Sequence, residues 1–192
     1  VRRLRVLLLV VAGALVLSSC TLVTPNAAPV HIAKSKVGLQ LLNPTIPGTN
    51  GARVRFITQP VYIVDATGQL APSSRIVPKP PALATVIEQL LLGPSTIESS
   101  VGDTSALPQS LVLVSATIHH RVGYLNFATS LNSLSRADQL LAVGQLVFTA
   151  FDAGATKGIV IKVAGVIEPL LTPSGQRLTR VTESDFESLL NS

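Results

Sequence analysis

Methionine and tryptophan are absent from this 192-residue chain, and cysteine occurs once. A single thiol excludes an intrachain disulfide, and a lone cysteine asks for its own explanation. Aromatic residues are only 4% of the total, which argues against a stacking cleft for polysaccharides. Charge is sparse as well, at 13% against 47% hydrophobic residues, so most of the chain lies outside the disordered class. The net charge of +5 includes Arg2, Arg3 and Arg5, which sit in a stretch with no acid; without them the remainder carries +2. No clustered basic face follows, and nucleic acid is excluded as a partner. The usual catalytic signatures are also missing. There is no Gly-x-Ser-x-Gly elbow, no HExxH and no CxxC. Gly154-Ala-Thr-Lys-Gly158 lacks the spacing of a phosphate loop and the helix that should follow it.

What is present begins at the N-terminus. Val1-Arg-Arg-Leu-Arg5 is positively charged, and Val6–Leu17 is an apolar run of small and aliphatic residues. About twelve residues make roughly 18 Å of helix, too short for a bilayer core of ~30 Å. The run therefore reads as the core of a secretory leader. Leu17-Ser18-Ser19-Cys20 then matches a lipobox, in which small residues fit the lipoprotein signal peptidase and the thiol accepts diacylglycerol. The pattern predicts export, cleavage before Cys20 and lipid anchoring on the outer face of the cytoplasmic membrane. With Val at position 1 and no methionine, a non-ATG start codon is expected, which would make the leader native.

Residues 21–52 are rich in Pro, Gly, Thr, Asn and Ala and show no sustained periodicity, apart from the apolar patch Val37-Gly-Leu-Gln-Leu-Leu42. They read as a flexible tether. The expected organisation is thus a leader at 1–19, the lipidated cysteine and tether at 20–52, and one domain at 53–192. Within that domain Arg53–Thr58, Val61–Asp65 and Leu70–Val77 read as strands. Leu83, Val86, Ile87, Leu90 and Leu91 share one helical face, and Gly93-Pro94 stops that helix. Ser95 to Gln109 reads as a polar loop. Leu111–Ile118 and Val122–Phe127 are further strands around His119-His120-Arg121. Ser135 caps a second helix with Asp138 three residues on. Leu140, Leu141, Val143, Gly144, Val147, Phe148 and Phe151 form its apolar stripe, and Gly154 ends it. Gly158–Val163 and Gly165–Leu171 are strands, and Thr182 caps a last short helix to Leu190. The order ββα–ββα–ββα predicts an α+β fold, one mixed sheet with long helices packed on one face.

The titratable residues offer little chemistry. His31 lies in the tether, and the adjacent His119 and His120 should point to opposite faces and not share a metal. Asp138 is explained as a cap and Asp65 as a turn residue. Glu88, Asp103, Asp152 and Glu168 are scattered along the sequence. No catalytic residue, metal ligand or cofactor-binding residue is assigned.

Several phrases resemble the GerMN domain of sporulation and germination lipoproteins. They are Val61-Tyr-Ile-Val-Asp65, Val86-Ile-Glu-Gln-Leu-Leu-Leu-Gly-Pro94, Ala106-Leu-Pro108 and Val122-Gly-Tyr-Leu-Asn-Phe127. Asp138-Gln-Leu-Leu-Ala-Val-Gly-Gln-Leu-Val-Phe-Thr149 and Gly158-Ile-Val-Ile-Lys-Val-Ala-Gly165 complete the set, which covers about 55–170. The resemblance implies an extracytoplasmic assembly module, similar in topology to ring-building domains, in a single-domain form from a high-GC Gram-positive bacterium. It has no established catalytic residues to carry over. It implies envelope proteins as partners, a sensor kinase or a ring-forming complex among them. Two readings remain open. One is a non-enzymatic lipoprotein that joins envelope proteins, and the other is a lipoprotein that binds a small apolar or cell-wall ligand.

Overall fold

The computed structural model describes residues 54–191. The leader, Leu17, Ser18, Ser19, Cys20, His31 and the tether lie outside the described residues. Strand β1, Phe56–Val64, turns back at Asp65–Gln69 into β2, Leu70–Pro78, to make an antiparallel hairpin. Asp65 builds the turn. Its Oδ1 accepts from the Thr67 amide at 2.8 Å, the Thr67 hydroxyl at 2.6 Å and the Gln69 amide at 3.1 Å.

Helix α1, Leu83–Leu91, buries Leu83, Val86, Ile87 and Leu90. It ends where expected, at Gly93 with φ of 74°. With Pro94 following, an αL residue and a ring together close the chain's path as a helix. The expected polar loop then contains a short helix, α2, Thr96–Ser100, with a Ser95–Glu98 capping box. The sequence signal was there, Ser-x-x-Glu, but no apolar run follows it.

Strands β3, Leu113–His119, and β4, Val122–Phe127, form a second hairpin. Helix α3, Arg136–Asp152, carries the chain back so that β5, Ile159–Val163, pairs parallel to β4. β6, Val166–Ile167, is antiparallel to β5, which completes a mixed sheet in the order β3-β4-β5-β6. A small hairpin of β7, Leu170–Leu171, and β8, Arg177–Leu178, follows.

The fold is α+β as expected, but its strands divide into separate sheets: the β1–β2 hairpin, the four-stranded mixed sheet and the β7–β8 ribbon. The expected strand Gly165–Leu171 is broken into β6 and β7 around Glu168 and Pro169. The last expected helix is instead two 3₁₀ turns, Glu183–Asp185 and Glu187–Leu189. A segment of that length cannot repay helix nucleation alone, and here Phe186 is tucked into the core between the two turns.

Leu125, Ile159, Ile161 and Phe127 face the helices from the sheet, and the opposite face is open. Ser135 caps α3 as expected, its Oγ accepting from the Asp138 amide at 3.2 Å. Val143, Gly144, Val147 and Phe148 are buried as expected, but the rest of the stripe differs. Gln139, Ala142, Gln145, Leu146, Thr149 and Ala150 are buried, while Leu140, Leu141 and Phe151 are half-buried. Because α1, the first hairpin, β5 and the C-terminal turns all pack around α3, polar positions on its far side are enclosed too.

Candidate functional site

The open face of the mixed sheet gathers polar side chains from three strands. Parity along β4 sends Tyr124 and Asn126 outward while Leu125 and Phe127 point to the core. Register places Thr117 opposite Tyr124, and Ser115 opposite Asn126, which in turn pairs with Lys162 of β5. Together with His119 and Gly165 they line an open depression of about 430 Å³. The Lys162 ammonium lies 5.6 Å from the centre of the Tyr124 ring, a cation–π distance. The centre of the His119 ring lies 6.1 Å from that of Tyr124, with the two rings tilted by 58°. Among the described residues no carboxylate lines the depression.

The adjacent histidines differ in backbone setting, so strand alternation does not govern the second of them. His119 ends β3, and His120 with Arg121 forms the two-residue hairpin turn, at φ of 51° and 68°. Positive φ at both central residues is the type I′ arrangement, which matches strand twist and usually selects Asn-Gly. Both histidines are exposed, and neither has a hydrogen-bonded carboxylate among the described residues.

The acidic residues are likewise dispersed. Asp65 and Asp138 act as the turn and cap residues they were read to be. The Asp65 carboxyl is held below its usual value, first by the Thr67 hydroxyl and also by the Gln69 and Thr67 amides and Asn191. Buried Glu168 accepts from the Ser130 hydroxyl at 2.7 Å. Asp152 stands near Tyr62 and Glu183. The Tyr62 hydroxyl is pushed up to about 12, by burial first and then by Asp152. Glu183 is also raised, by burial, Asp152 and Glu187. Among the described residues no three His, Cys, Asp or Glu side chains are grouped to hold a metal ion.

Beyond the open face, two polar linkages secure the scaffold, and neither is apparent from sequence. Glu98 of α2 receives Arg75 of β2 through two N–H···O contacts of 2.9 Å, and Ser73 also donates to it. Arg75 further donates to the Gly93 carbonyl at 3.2 Å, so the α1 stop and β2 are tied together. With these partners the Glu98 carboxyl falls to about 2, the Arg75 guanidinium being the largest cause. The second linkage is on α3. Buried Gln145 donates to the Tyr62 carbonyl at 2.8 Å and accepts from the Ala106 amide at 2.9 Å, while the Thr149 hydroxyl accepts from the Tyr62 amide at 2.9 Å. Two helix side chains thus substitute for a neighbouring strand along β1, and the Val64–Thr104 bridge continues the cover.

The sheet order, the α1–Gly93–Pro94 stop and the Gln145/Thr149 fastening of β1 define an α+β domain with one open sheet face. The chain belongs to the Germane family of sporulation and spore germination, whose match spans residues 60–168. Among solved structures it is similar to the tandem GerMN domains of the sporulation protein GerM from Bacillus subtilis. The TM-score is 0.53 at 13% identity, over 68% of this chain and 48% of that one. The chain therefore spans about half the length of that tandem protein. The first GerMN domain of the same protein matches with a TM-score of 0.46 and 15% identity, over 66% of this chain and 95% of that one. A candidate lipoprotein from Clostridium perfringens matches with a TM-score of 0.44 and 12% identity, over 72% of this chain and 93% of that one. No curated protein matches. At 13% identity, the match to the tandem domains shows the fold alone.

Proposed function

We propose that this chain is an exported lipoprotein, cut before Cys20 and anchored by lipid on the outer face of the cytoplasmic membrane. There its Germane domain joins other envelope proteins. The leader, the lipobox and membership of a sporulation and germination family support the setting.

The observation that carries the assembly role is the edge of the mixed sheet. β3 is the outermost strand, and on the described residues nothing pairs with its outer side. Val112 and Val114 are 57% and 59% exposed there. The β3–β4 register shifts between Leu113 and Ser115, so Val114 is the extra residue of a bulge. A bulge twists an edge away from indiscriminate strand pairing. What it leaves is a short apolar ridge beside the acid-free row of Ser115, Thr117 and His119. That combination of an apolar anchor and adaptable polar neighbours suits a selective protein contact. Two concavities among the described residues, on the sheet face and beside Leu91–Gln109, are both open, as a docking surface is and an enclosed small-molecule pocket is not.

A photo-crosslinking residue at Val114 in intact cells tests the reading. Adducts with discrete envelope proteins are expected at Val114 and not at the exposed turn residue Ser174, and Val112→Asp should abolish them. Identical adducts at both positions would show that β3 is no interface.

A further inference from the structure

The end of the first hairpin that joins the N-terminal segment has a surface of a different kind. Phe56 pairs with Pro78, and Thr58 with Ile76, so Phe56 and Ile76 are diagonal neighbours on one face. Phe56 is 62% exposed, Ile76 73% and the preceding Val54 63%. Such large apolar groups gathered at one tip call for a partner. Exposed Arg55 and Lys79 stand beside them, joined through the backbone where the Lys79 amide donates to the Arg55 carbonyl at 2.8 Å. The only other charged side chain on the two strands, Arg75, is paired with Glu98, and neither strand contains an acid. Arg55 and Lys79 therefore have no carboxylate on the two strands beside them, and the hairpin's one acid, Asp65, lies in the turn at the opposite end.

We propose that this tip docks onto an anionic bilayer surface, with Val54, Phe56 and Ile76 inserted at the headgroup boundary and Arg55 and Lys79 against lipid phosphates. Two features favour lipid over protein as the occupant. Apolar side chains flanked by two cations fit an anionic interface, where long basic side chains bury their stems and keep their charge in the headgroups. The exposed pairs Val112/Val114 and Val166/Ile167 lie at sheet edges instead, and exposed Ile97 and Val101, on α2 and at its end, have the acids Glu98 and Asp103 as their charged sequence neighbours. Position adds to the case. Val54 leads directly into the segment that carries Cys20, and residues 21–53 can reach on the order of 110 Å fully extended. A lipid anchor would thus keep the tip within range of a membrane without forcing contact, so contact depends on the tip's own chemistry.

The proposal rests on the anchoring reading only to bring the domain to a bilayer. The chain has no tryptophan, so Phe56→Trp introduces a unique fluorophore at the tip, and Val166→Trp, at a position 72% exposed on β6, serves as the control. Both full-length lipidated variants are reconstituted into vesicles of phosphatidylcholine with and without phosphatidylglycerol, with acyl chains brominated to quench tryptophan. Flotation of both variants reports anchoring by itself. Docking predicts a blue-shifted emission and bromine quenching for Phe56→Trp, stronger with phosphatidylglycerol, and neither for Val166→Trp. Adding Arg55→Glu and Lys79→Glu should remove the dependence on phosphatidylglycerol. Equal quenching of the two variants on floated vesicles overturns the proposal. So does a blue shift at Phe56→Trp without bromine quenching, which would place a protein surface, a second copy or the apolar stretch 37–42, over the tip.

Discussion

At the scale of single residues, two glycines with positive φ separate two physical costs. Gly93, at 74°, has open space where a Cβ would go, so Gly93→Ala meets only the left-handed backbone penalty. That should be roughly 1 kcal/mol. Gly158, at 102°, would also drive its Cβ into the Val181 carbonyl, which accepts from the Ile159 amide at 2.8 Å. A backbone neighbour held in a bridge cannot swing away as a side chain can. Gly158→Ala should therefore cost about 2–4 kcal/mol, and urea denaturation of the two variants should rank them in that order. Equal midpoints would refute the steric argument. Glu98 sets a pH dependence. Its folded value of about 2 lies below the unfolded 4.5, so the stabilisation is present above about 4.5 and is lost as pH falls toward 2. With both side chains some 15% exposed, it amounts to roughly 1–3 kcal/mol. Glu98→Gln should flatten that acid limb of the melting temperature, and an unchanged limb would show that the Arg75 pair contributes nothing.

At the scale of elements, the exchange of a strand neighbour for helix side chains makes α3 and β1 one unit. Gln145→Leu keeps most of the volume but leaves the Tyr62 carbonyl and the Ala106 amide without their partner. Each unpaired buried group costs about 1–3 kcal/mol. Thr149→Val, which keeps the shape and removes the acceptor for the Tyr62 amide, should cost about 1–3 kcal/mol by the same reasoning. Both side chains fasten one residue, so the double variant should lose less than the sum of the singles; simple additivity in thermal melts would deny the shared role. This linkage also marks where sequence reading succeeds and where it stops. Local signals were legible: the α1 face, Gly93-Pro94, Ser135 with Asp138, the alternation of β4 and the Asp65 turn each depend on neighbours within four residues. The stripe on α3 was legible only in part, because Gln145 and Thr149 are enclosed by β1 and the loop at Ala106, both distant in sequence. The Arg75–Glu98 pair was invisible for the same reason, and so was the division of the strands among sheets, since register is a long-range property. The candidate surface was less legible still. Tyr124, Asn126 and Lys162 become neighbours only through the parallel β4–β5 pairing, and a His-Arg pair is no ordinary sign of a type I′ turn.

At the scale of the whole molecule, the charge and hydropathy of the chain are those of two parts with different work. The basic residues Arg2, Arg3 and Arg5 and the apolar run Val6–Leu17 precede the cysteine, Lys34 and Lys36 supply the remaining +2, and the domain from residue 53 on is balanced, with ten basic and ten acidic residues. No helix among the described residues is long and apolar enough to cross a membrane, and the proposed anchor lies in the N-terminal segment. Two or three acyl chains on Cys20 would supply it, at about 0.8 kcal/mol per buried CH₂, enough for stable anchoring where one chain gives only reversible binding. The sharpest prediction is therefore chemical. Mass spectrometry of the membrane-extracted protein should find an N-terminal peptide that begins at Cys20 and carries diacylglycerol, with residues 1–19 gone. Cys20→Ala should lose the lipid mass, and its membrane association should drop. An uncleaved leader could itself hold the variant at the membrane, so the N-terminus of any membrane-bound Cys20→Ala protein must be read. Retention with residues 1–19 still attached is compatible with lipid anchoring of the parent chain. Retention of a chain that has lost its leader is not, and neither is a parent chain whose N-terminal peptide begins elsewhere or bears no lipid.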